Sequence, residues 1–348
     1  MRIGAIPENL IERILMKLGA LPAPLLDTQI AYSLARTVML GVKAGIFEAL
    51  ASGALTAEEV SKGCETHPGA TRKLLNALVG AGYLRSTGTA YSLATVARKW
   101  LMSSSAPSLR DKLLLQFREW EFVAYYDEFL KTGKPLDIHQ TLSEEDWDVY
   151  QRGMRSLAGV SAPEVAGRTP VPSGARDMLD IGGSHGFYSV ALCRRHTALR
   201  AVILDLPEAV AMAEKILAKE GMGSRVTHRA GNALAEDLGS EAWDVVFTAQ
   251  LVHHFDETAN RALARRVARA LRPGGIFVIQ EIIRPQSPDK AGQVGALLDL
   301  YFAATSEAGT WSVEEMADWQ RQAGLVARKP MWLRSLPGSA QQVGVKPA

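Results

Sequence analysis

Short apolar runs alternate with helical patterns in the second half of the chain. The runs MLDIG, AVILDL and GIFVIQEII have the length and composition of buried strands, and segments such as PEAVAMAEKILAKEG and ETANRALARRVARALR have helical periodicity. Strands separated by helices of this length form βαβ units, whose strands are parallel. The pattern predicts an α/β domain with a mostly parallel sheet over residues 171–348, ending in a loose tail, LPGSAQQVGVKPA.

The first hundred residues predict a smaller helical domain. Apolar side chains recur every three or four positions over residues 27–50, which indicates a helix with Asp27 as its N-cap. Thr56 and Glu59 have the spacing of a capping box at the start of the next helix. A third helix, in HPGATRKLLNALVG, precedes a hairpin pattern around TGTAYSL. Helix, helix and hairpin in this order predict a winged-helix domain over residues 1–105.

A winged helix raises the hypothesis of DNA binding, which the sequence of the third helix disfavours. Arg72 and Lys73 are followed there by a mainly apolar run, whereas a helix that reads DNA needs an exposed face of Arg, Asn or Gln. The chain has 39 basic and 37 acidic residues, a net charge of +2, so its overall charge favours neither nucleic acid nor an anionic membrane. We expect this domain to pack or dimerise, with no nucleic-acid partner.

The remaining composition indicates a soluble, cytoplasmic protein. No apolar run reaches the roughly 20 residues of a membrane helix, and the N-terminal segment lacks the uninterrupted apolar region of a signal peptide. Cys64 and Cys193 lie far apart and outside any CxxC pattern, so we expect free thiols in a reducing compartment. The sequence therefore predicts no membrane association and no disulfide.

Residues 106–170 form a third region, which is helical and rich in aromatic side chains. Its aromatic residues include Phe117, Trp120, Phe122, Tyr125, Tyr126, Phe129, Trp147 and Tyr150. Such residues serve either as helix-packing core or as the lining of an apolar pocket, and both roles stay open. We expect this region to be a helical linker and a lid over the substrate.

A glycine-rich turn, GGSHG, follows the first strand of the α/β domain and precedes a helix. This arrangement places backbone N–H groups at the carboxyl end of the strand, but the spacing is not the GxGxxG of a dinucleotide site. Asp205 ends the next strand, where it can accept both hydroxyls of a ribose. Asp180 can bind an ammonium group or orient the turn, and His185 is expected to face solvent. A nucleoside without a pyrophosphate fits this combination.

The motifs DIGGSHG, DLP, GNAL, LVHHFDE and RPGGIFVIQE resemble class I S-adenosylmethionine-dependent O-methyltransferases. The likeness is to the dimeric branch that acts on small molecules such as plant phenolics, hydroxyindoles and bacterial polyketides, and it covers nearly the whole chain. It implies a Rossmann-like catalytic domain, a homodimer formed through the winged-helix domain, an aromatic acceptor, and S-adenosylhomocysteine as product. The implied cofactor-binding residues are Asp180, Gly182, Gly183, Gly186, Asp205, Leu206, Asn232 and Ala233, with Asn232 at a position where the family usually has Asp.

The same resemblance implies the catalytic residues. His253 lies at the position of the family's general base, Glu281 at that of a carboxylate that orients it, and His254 where many relatives have Asp. A second carboxylate is expected at the position of Thr310, so this chain departs from the family there. A metal site at the two histidines is an alternative, with Asp256 and Glu257 as further ligands, but we predict none.

The reaction is expected to be O-methylation of an aromatic hydroxyl, and other readings stay open. They are C-methylation of an aromatic or keto-acid acceptor, a relative that binds the cofactor for another reaction, and a non-catalytic winged-helix regulator. The acceptor pocket is predicted from segments of the chain, and Met154 lies in YQRGM, which is similar to a substrate-contacting stretch of the family. Its candidate residues are Trp120, Phe122, Met154, Leu298, Phe302 and Trp311.

Overall fold

The structure is a computed structural model that describes residues 4–306 and 308–348. The chain divides into two compact units, the first ending at Phe117 and the second running from Arg118 to Ala348. The finer division predicted from the sequence, with boundaries at residues 105 and 170, stays a prediction.

The first unit has the predicted helix, helix and hairpin order. A three-stranded sheet has the strand order β1-β3-β2, with all neighbours antiparallel. A π-helical turn, Leu26–Ile30, joins the second and third helices. The helices are α1 (Leu10–Lys17), α2 (Ala23–Leu25), α3 (Ala31–Lys43), α4 (Ile46–Ala49), α5 (Ala57–Gly63), α6 (Pro68–Gly80) and α7 (Thr95–Trp100), and the strands are β1 (Leu55–Thr56), β2 (Leu84–Thr87) and β3 (Ala90–Leu93).

The helix predicted over residues 27–50 begins earlier and ends sooner. It starts at Ala23, with Pro24 in the first turn, where the missing N–H of proline costs no hydrogen bond, and Asp27 lies in the π-helical turn rather than at a cap. Gly45 takes φ +74°, which stops the helix before α4. The capping box at Thr56 is confirmed, since its hydroxyl accepts the N–H of Glu59 at 3.2 Å.

The second unit contains the large sheet and the helices around it. Helix α8 begins in the first unit and ends in the second. Short 3-10 turns cover Gly223–Arg225 and Val252–His254. The helices are α8 (Arg110–Ala124), α9 (Tyr126–Thr132), α10 (Ile138–Thr141), α11 (Glu144–Arg168), α12 (Phe187–Arg195), α13 (Pro207–Ala218), α14 (Glu257–Ala270), α15 (Pro288–Thr305) and α16 (Val313–Gln322). The strands are β4 (Asp177–Ile181), β5 (Arg200–Asp205), β6 (Val226–Ala230), β7 (Trp243–Ala249), β8 (Leu271–Ile282), β9 (Val326–Ala327), β10 (Met331–Trp332) and β11 (Ser339–Val345).

The sheet is mostly parallel, as predicted. Its main path is β10-β11-β8-β7-β4-β5-β6, and the run from β8 to β6 is parallel. After β4 the chain builds outward through β5 and β6, then returns to β7 on the other side of β4. Ligands of open α/β sheets bind at such a switch point, outside the carboxyl ends of the strands. The glycine turn after β4 and the turn after β7 both lie at this edge.

Apolar side chains cover both faces of the sheet. One cluster, which includes Leu179, Val246 and Phe277, packs against α14 and α16, and the other includes Met178, Val245 and Val278. Each of these side chains is at most 1% exposed, and full burial of one contributes about 1.5–3 kcal/mol. The sheet is therefore a rigid support for the loops at its edge.

The predicted loose tail is wrong, because residues 339–345 form β11. This strand pairs with β8 along its whole length, from Ser339 opposite Ile282 to Val345 opposite Ile276. Its polar side chains hide the strand pattern in the sequence. Gln341 is fully buried and donates to Gln280 at 2.9 Å, so hydrogen bonds offset the cost of burying its amide.

Three further features concern chemistry that the sequence analysis raised. Cys64 is partly buried, Cys193 is buried, and both are free thiols. Within the described ranges, no group of three or more His, Cys, Asp or Glu side chains is arranged to hold a metal ion. No helix in the same ranges combines the length and apolarity needed to cross a membrane.

Candidate active site

The glycine turn after β4 needs glycine for two different reasons. Gly182 and Gly186 have φ of +68° and +71°, a backbone conformation that side chains with a Cβ rarely adopt. At Gly183 the reason is space, because a Cβ there would lie 2.5 Å from the carboxyl group of Asp180. The turn is therefore packed closely onto the strand end, and Gly186 is the N-cap of α12.

Asp180 is a buried carboxyl group with an unfilled hydrogen-bonding site. It is 1% exposed, and its Oδ2 accepts the hydroxyl of Ser189 at 2.6 Å. Its Oδ1 is buried without a hydrogen-bond partner among the described residues. Burial raises the pKa of Asp180 to about 7, although the Ser189 hydrogen bond acts in the opposite direction. Such a carboxyl group is suited to a ligand that brings a cationic donor.

Ser184 connects the glycine turn to three neighbouring elements. Its φ is +51°, unusual for a residue other than glycine. The Ser184 N–H donates to Oδ2 of Asp205 at 2.7 Å, and its carbonyl accepts Nε2–H of His228 at 2.8 Å. Its hydroxyl donates to the side-chain oxygen of Gln151 on α11. The other carboxylate oxygen of Asp205 accepts the N–H of the half-exposed Leu206 at 2.8 Å. These contacts hold the Asp205 carboxylate beside the glycine turn.

The expectation that His185 faces solvent is wrong. Its side chain is buried, only 6% exposed, and Nδ1 accepts the N–H of Phe187 at 3.0 Å. Burial and the nearby charge of Arg155 lower the pKa of His185 to about 3, so the ring is neutral. Nothing in the local sequence indicates that α11, which carries Arg155, packs against this turn.

The loop after β6 lies beside the end of β5. The N–H of Gly231 donates to the carbonyl of Asp205 at 2.8 Å. Asn232 is exposed, and its side-chain oxygen accepts the N–H of Leu234 at 2.9 Å. The guanidinium of Arg266 on α14 donates to the carbonyl of Ala233 at 2.6 Å. The loop is thus fixed from both sides, which presents the amide of Asn232 at the sheet edge.

His253 and Glu281 form a buried pair on the other side of β4. Nδ1 of His253 lies 3.1 Å from Oε2 of Glu281, and the two residues are 3% and 1% exposed. A carboxylate can only accept, so Nδ1 carries the hydrogen and Nε2 keeps a free lone pair. This is the arrangement of a general base whose tautomer is fixed by a carboxylate.

The turn that carries His253 is held by hydrogen bonds to its backbone. The carbonyl of Val252 accepts the indole N–H of Trp311 at 3.0 Å and the amide of Asn260 at 2.9 Å. Trp311 is 7% exposed and belongs to the apolar cluster under the turn, where it packs against Trp319. The structure thus gives Trp311 a supporting contact to the base turn, whereas the sequence analysis predicted a place in the acceptor pocket.

Aromatic rings lie beside the base. The rings of His253 and Phe302 are 4.4 Å apart between centroids, which places this predicted pocket residue next to the His253 imidazole. On another side, His254 lies 4.2 Å from His253, and His139 lies 4.9 Å from His254. Burial and the two neighbouring imidazoles lower the pKa of His254 well below its usual value.

A carboxylate lies close to Thr310, the position at which the family's second carboxylate was expected. Thr310 is buried, and its hydroxyl donates to the carboxylate of Asp299 on α15. Asp299 lies one helical turn before Phe302, so the two share a face of α15. Position 310, where the resemblance implies a carboxylate, thus carries a threonine that is bound to the carboxylate of Asp299 on α15.

The remaining predicted pocket residues lie on the helices of the second unit. Trp120 and Phe122 are on α8, with exposed fractions of 40% and 3%. Met154 is partly buried on α11, and Leu298 is partly buried on α15. Their role as acceptor-binding residues stays a prediction.

Some residues of the site carry no sequence signal that could have revealed them. His139, Gln151 and His228 lie outside every motif, and only the tertiary packing brings them to the sheet edge. Tyr150 belongs to the aromatic-rich region but had no assigned role.

Comparison with known proteins identifies the two parts of the chain. Residues 124–325 match the model of the O-methyltransferase domain, and residues 27–103 match that of the O-methyltransferase dimerisation domain. The chain therefore carries the dimerisation domain of this family, in the part predicted to be a winged helix.

Individual relatives agree with this assignment. The chain is 28% identical to 3-hydroxy-5-methyl-1-naphthoate 3-O-methyltransferase of Streptomyces sahachiroi, covering 93% of this chain and 95% of the relative. It is also 28% identical to L-tyrosine C(3)-methyltransferase of Streptomyces lavendulae, over 70% of each chain.

A solved structure shows the same fold. Human N-acetylserotonin methyltransferase, in complex with S-adenosylmethionine, superposes with a TM-score of 0.82 at 17% identity, covering 99% of this chain and 100% of that one. The methyl donor of the family is S-adenosylmethionine. The chain belongs to the O-methyltransferase family and is an S-adenosylmethionine-dependent methyltransferase.

Proposed function

We propose that the protein transfers a methyl group to a hydroxyl of an aromatic small molecule, with His253 as general base and Glu281 as the carboxylate that orients it. The observation that carries the proposal is the buried hydrogen bond from Nδ1 of His253 to Glu281, which leaves Nε2 free. A phenol titrates near pH 10, so a neutral imidazole close to the hydroxyl accelerates its methylation by taking the proton.

The residues at the sheet edge fit S-adenosylmethionine. The unpartnered Oδ1 of Asp180, beside the closely packed glycine turn, is suited to the amino group of the methionine part. Asp205 accepts one N–H on each carboxylate oxygen and keeps lone pairs for the ribose hydroxyls. Asn232, exposed on the next loop, is suited to the edge of adenine.

When bound, the cofactor supplies an electrophilic methyl group on a sulfonium. The chain itself has to bring the hydroxyl into line and remove its proton. Phe302 covers one side of the His253 ring and helps to exclude water from it. Glu281 stabilises the charged imidazole once the proton has moved to Nε2, because the carboxylate faces the opposite nitrogen.

The family model and the naphthoate 3-O-methyltransferase relative favour O-methylation, and C-methylation has support of its own. The tyrosine C(3)-methyltransferase relative methylates carbon, so this family includes C-methyltransferases. Carbon attack also needs deprotonation of the neighbouring hydroxyl, and His253 serves either outcome. The position of the new methyl group, determined by NMR of the product, separates the two.

The dimerisation domain supports a homodimer formed by the first unit. Its N-terminal segments expose apolar side chains that a second copy would bury, among them Ile11, Ile14 and Leu34. We expect light scattering to give twice the mass of the chain, and Ile11→Glu with Ile14→Glu to shift it toward the monomer.

The free thiols agree with a cytoplasmic location.

Calorimetric titration tests the proposed cofactor. We expect S-adenosylmethionine and S-adenosylhomocysteine to bind, and NAD not to bind, since the turn lacks the geometry of a pyrophosphate site. A screen of phenols with the loaded protein then tests the acceptor class. If neither S-adenosylmethionine nor S-adenosylhomocysteine binds, that result contradicts the proposal.

A further inference from the structure

Two additional imidazoles lie in a row beside the base. His254 follows His253 in the turn after β7, and His139 comes from α10, more than a hundred residues earlier in the chain. The ring centroids are 4.2 Å apart from His253 to His254 and 4.9 Å apart from His254 to His139. The fold thus extends the reactive imidazole into a line of three.

The outermost ring is held firmly. His139 stacks on Trp147 with centroids 5.5 Å apart and an interplanar angle of 11°, and it meets Tyr150 nearly edge-on at 5.7 Å. The segment before α10 is tied to α15, because the N–H of Leu136 donates to the carbonyl of Ala304 at 2.8 Å. His139 is therefore positioned by two aromatic rings and by the helix that carries Phe302.

The ring nitrogens of His139 and His254 are available to a ligand in the part of the chain that the structure describes. Among the described residues, neither side chain forms a hydrogen bond, and their contacts are with other rings. Burial lowers the pKa of both, so each is a neutral imidazole with one donor and one acceptor nitrogen. A hydroxyl, which also donates and accepts, matches such a pair.

The charges near these rings restrict what the pair can bind. Asp137 lies close enough to His139 to affect its titration. An acceptor with a carboxylate at this point would meet negative charge, so an uncharged oxygen is favoured.

We propose that His139 and His254 bind a second, uncharged hydroxyl of the acceptor, adjacent to the hydroxyl that His253 deprotonates. The ring of His254 is in contact with that of His253, so the hydroxyl that it binds lies next to the one that His253 deprotonates. The preferred acceptor is therefore a vicinal aromatic diol. This inference rests on the proposed function and names the substrate class of the same site.

Three naphthalene probes test the inference with the full-length protein and S-adenosylmethionine. They are 2,3-dihydroxynaphthalene, 2,7-dihydroxynaphthalene and 2-naphthol, so the first two have the same groups at different spacing. A hydrogen bond to the second hydroxyl predicts a kcat/KM that is roughly tenfold higher for the 2,3-diol than for either other probe. In His139→Phe and His254→Phe this ratio falls to about twofold or less, because phenylalanine keeps the ring packing without the nitrogens.

His196→Phe is the matched control, since His196 lies at the end of α12 and is not part of the ring cluster. The control retains the wild-type ratio, and S-adenosylhomocysteine binding verifies that each variant is folded. Equal turnover of the three probes by the wild type contradicts the inference and leaves the proposed function standing. A kcat/KM ratio that is unchanged in both phenylalanine variants has the same two consequences. No turnover of any probe, with S-adenosylhomocysteine still bound, contradicts both.

Discussion

Glu281 binds the imidazole of His253 and also the backbone that carries it. One carboxylate oxygen accepts the N–H groups of Leu251 and Val252 at 2.8 and 2.9 Å, while the other faces Nδ1 of His253 at 3.1 Å. His253 and Glu281 are thus held together at the ends of two adjacent parallel strands, β7 and β8. A substitution that removes the charge of Glu281 but keeps its hydrogen bonds to the backbone therefore tests its effect on the His253 ring apart from its effect on folding.

Glu281→Gln is expected to lower kcat by about 10²–10⁴-fold without comparable loss of cofactor affinity. The glutamine oxygen can still accept the two backbone N–H groups, but its NH₂ then faces Nδ1 and forces the hydrogen onto Nε2. The base would have the wrong tautomer in a nearly unchanged turn. Steady-state kinetics and S-adenosylhomocysteine titration measure the two effects, and a kcat within threefold of the wild type contradicts the assigned role.

Gly183→Ala is expected to abolish cofactor binding. The new Cβ would lie 2.5 Å from the Asp180 carboxyl group, so either the turn or the carboxyl group has to move. Calorimetry with S-adenosylhomocysteine measures the loss. Gly167→Ala in α11 is the matched control, because its Cβ has no atom within 4 Å, and this variant should bind as the wild type does. Equal affinity of both variants argues against the turn as the cofactor site.

Cofactor binding is expected to release a proton from Asp180 below about pH 7. Burial raises the pKa of this carboxyl group from 3.8 to about 7 in the free protein, and a bound ammonium group favours the charged form. Between pH 3.8 and about pH 7 the free protein holds a proton that the complex gives up. The affinity for the cofactor therefore rises with pH up to about 7 and then levels off.

Calorimetry at pH 6 in two buffers of different ionisation enthalpy measures that proton. We expect net release on binding S-adenosylhomocysteine to the wild type. Asp180→Asn should bind more weakly and release none, since an amide does not titrate. Absence of proton release by the wild type at pH 6 would mean that Asp180 is not the partner of the amino group.

Glu164 is expected to stabilise the fold above the acid range. Its carboxylate accepts the N–H groups of Arg334 and Ser335, the Ser335 hydroxyl and the Arg168 guanidinium. Burial alone would raise its pKa, but these hydrogen bonds outweigh it and lower the pKa from 4.5 to about 2. A lowered pKa in the folded state contributes stability above pH 4.5 that is lost as the pH falls toward 2.

Urea unfolding of the wild type and Glu164→Gln measures this contribution. The wild type should be more stable at pH 7, and the difference should shrink between pH 4.5 and pH 2 as the wild-type carboxylate is protonated. Glu128→Gln, in the exposed face of α9, is a control with no expected change. A difference that stays constant over this range contradicts the assigned cause.

The sequence was sufficient for those parts of the fold that depend on local periodicity and on motif spacing. The parallel sheet, the hairpin and the Thr56 capping box follow from alternation, turn residues and cap chemistry. His253 and Glu281 are 28 positions apart, yet both lie at the carboxyl ends of adjacent parallel strands, so their meeting was predictable.

What the sequence could not predict depends on tertiary contacts. The strand from Ser339 to Val345 is polar in composition, and only its pairing with β8 and the hydrogen bonds of Gln341 and Gln342 explain its burial. His185 was expected in solvent because nothing local indicates that α11 covers it. His139 carries no motif at all, and its place beside His254 results from the packing of α10 near the base turn.

The most direct measurement compares wild type and His253→Ala with S-adenosylmethionine and 2,3-dihydroxynaphthalene, following product by mass spectrometry and NMR. The account predicts a monomethyl ether from the wild type, with the new methyl group on oxygen. It predicts at least about 10²-fold less product from His253→Ala, with S-adenosylhomocysteine affinity retained. Equal product from both proteins would contradict His253 as the base, and a methyl group on carbon would contradict the reaction.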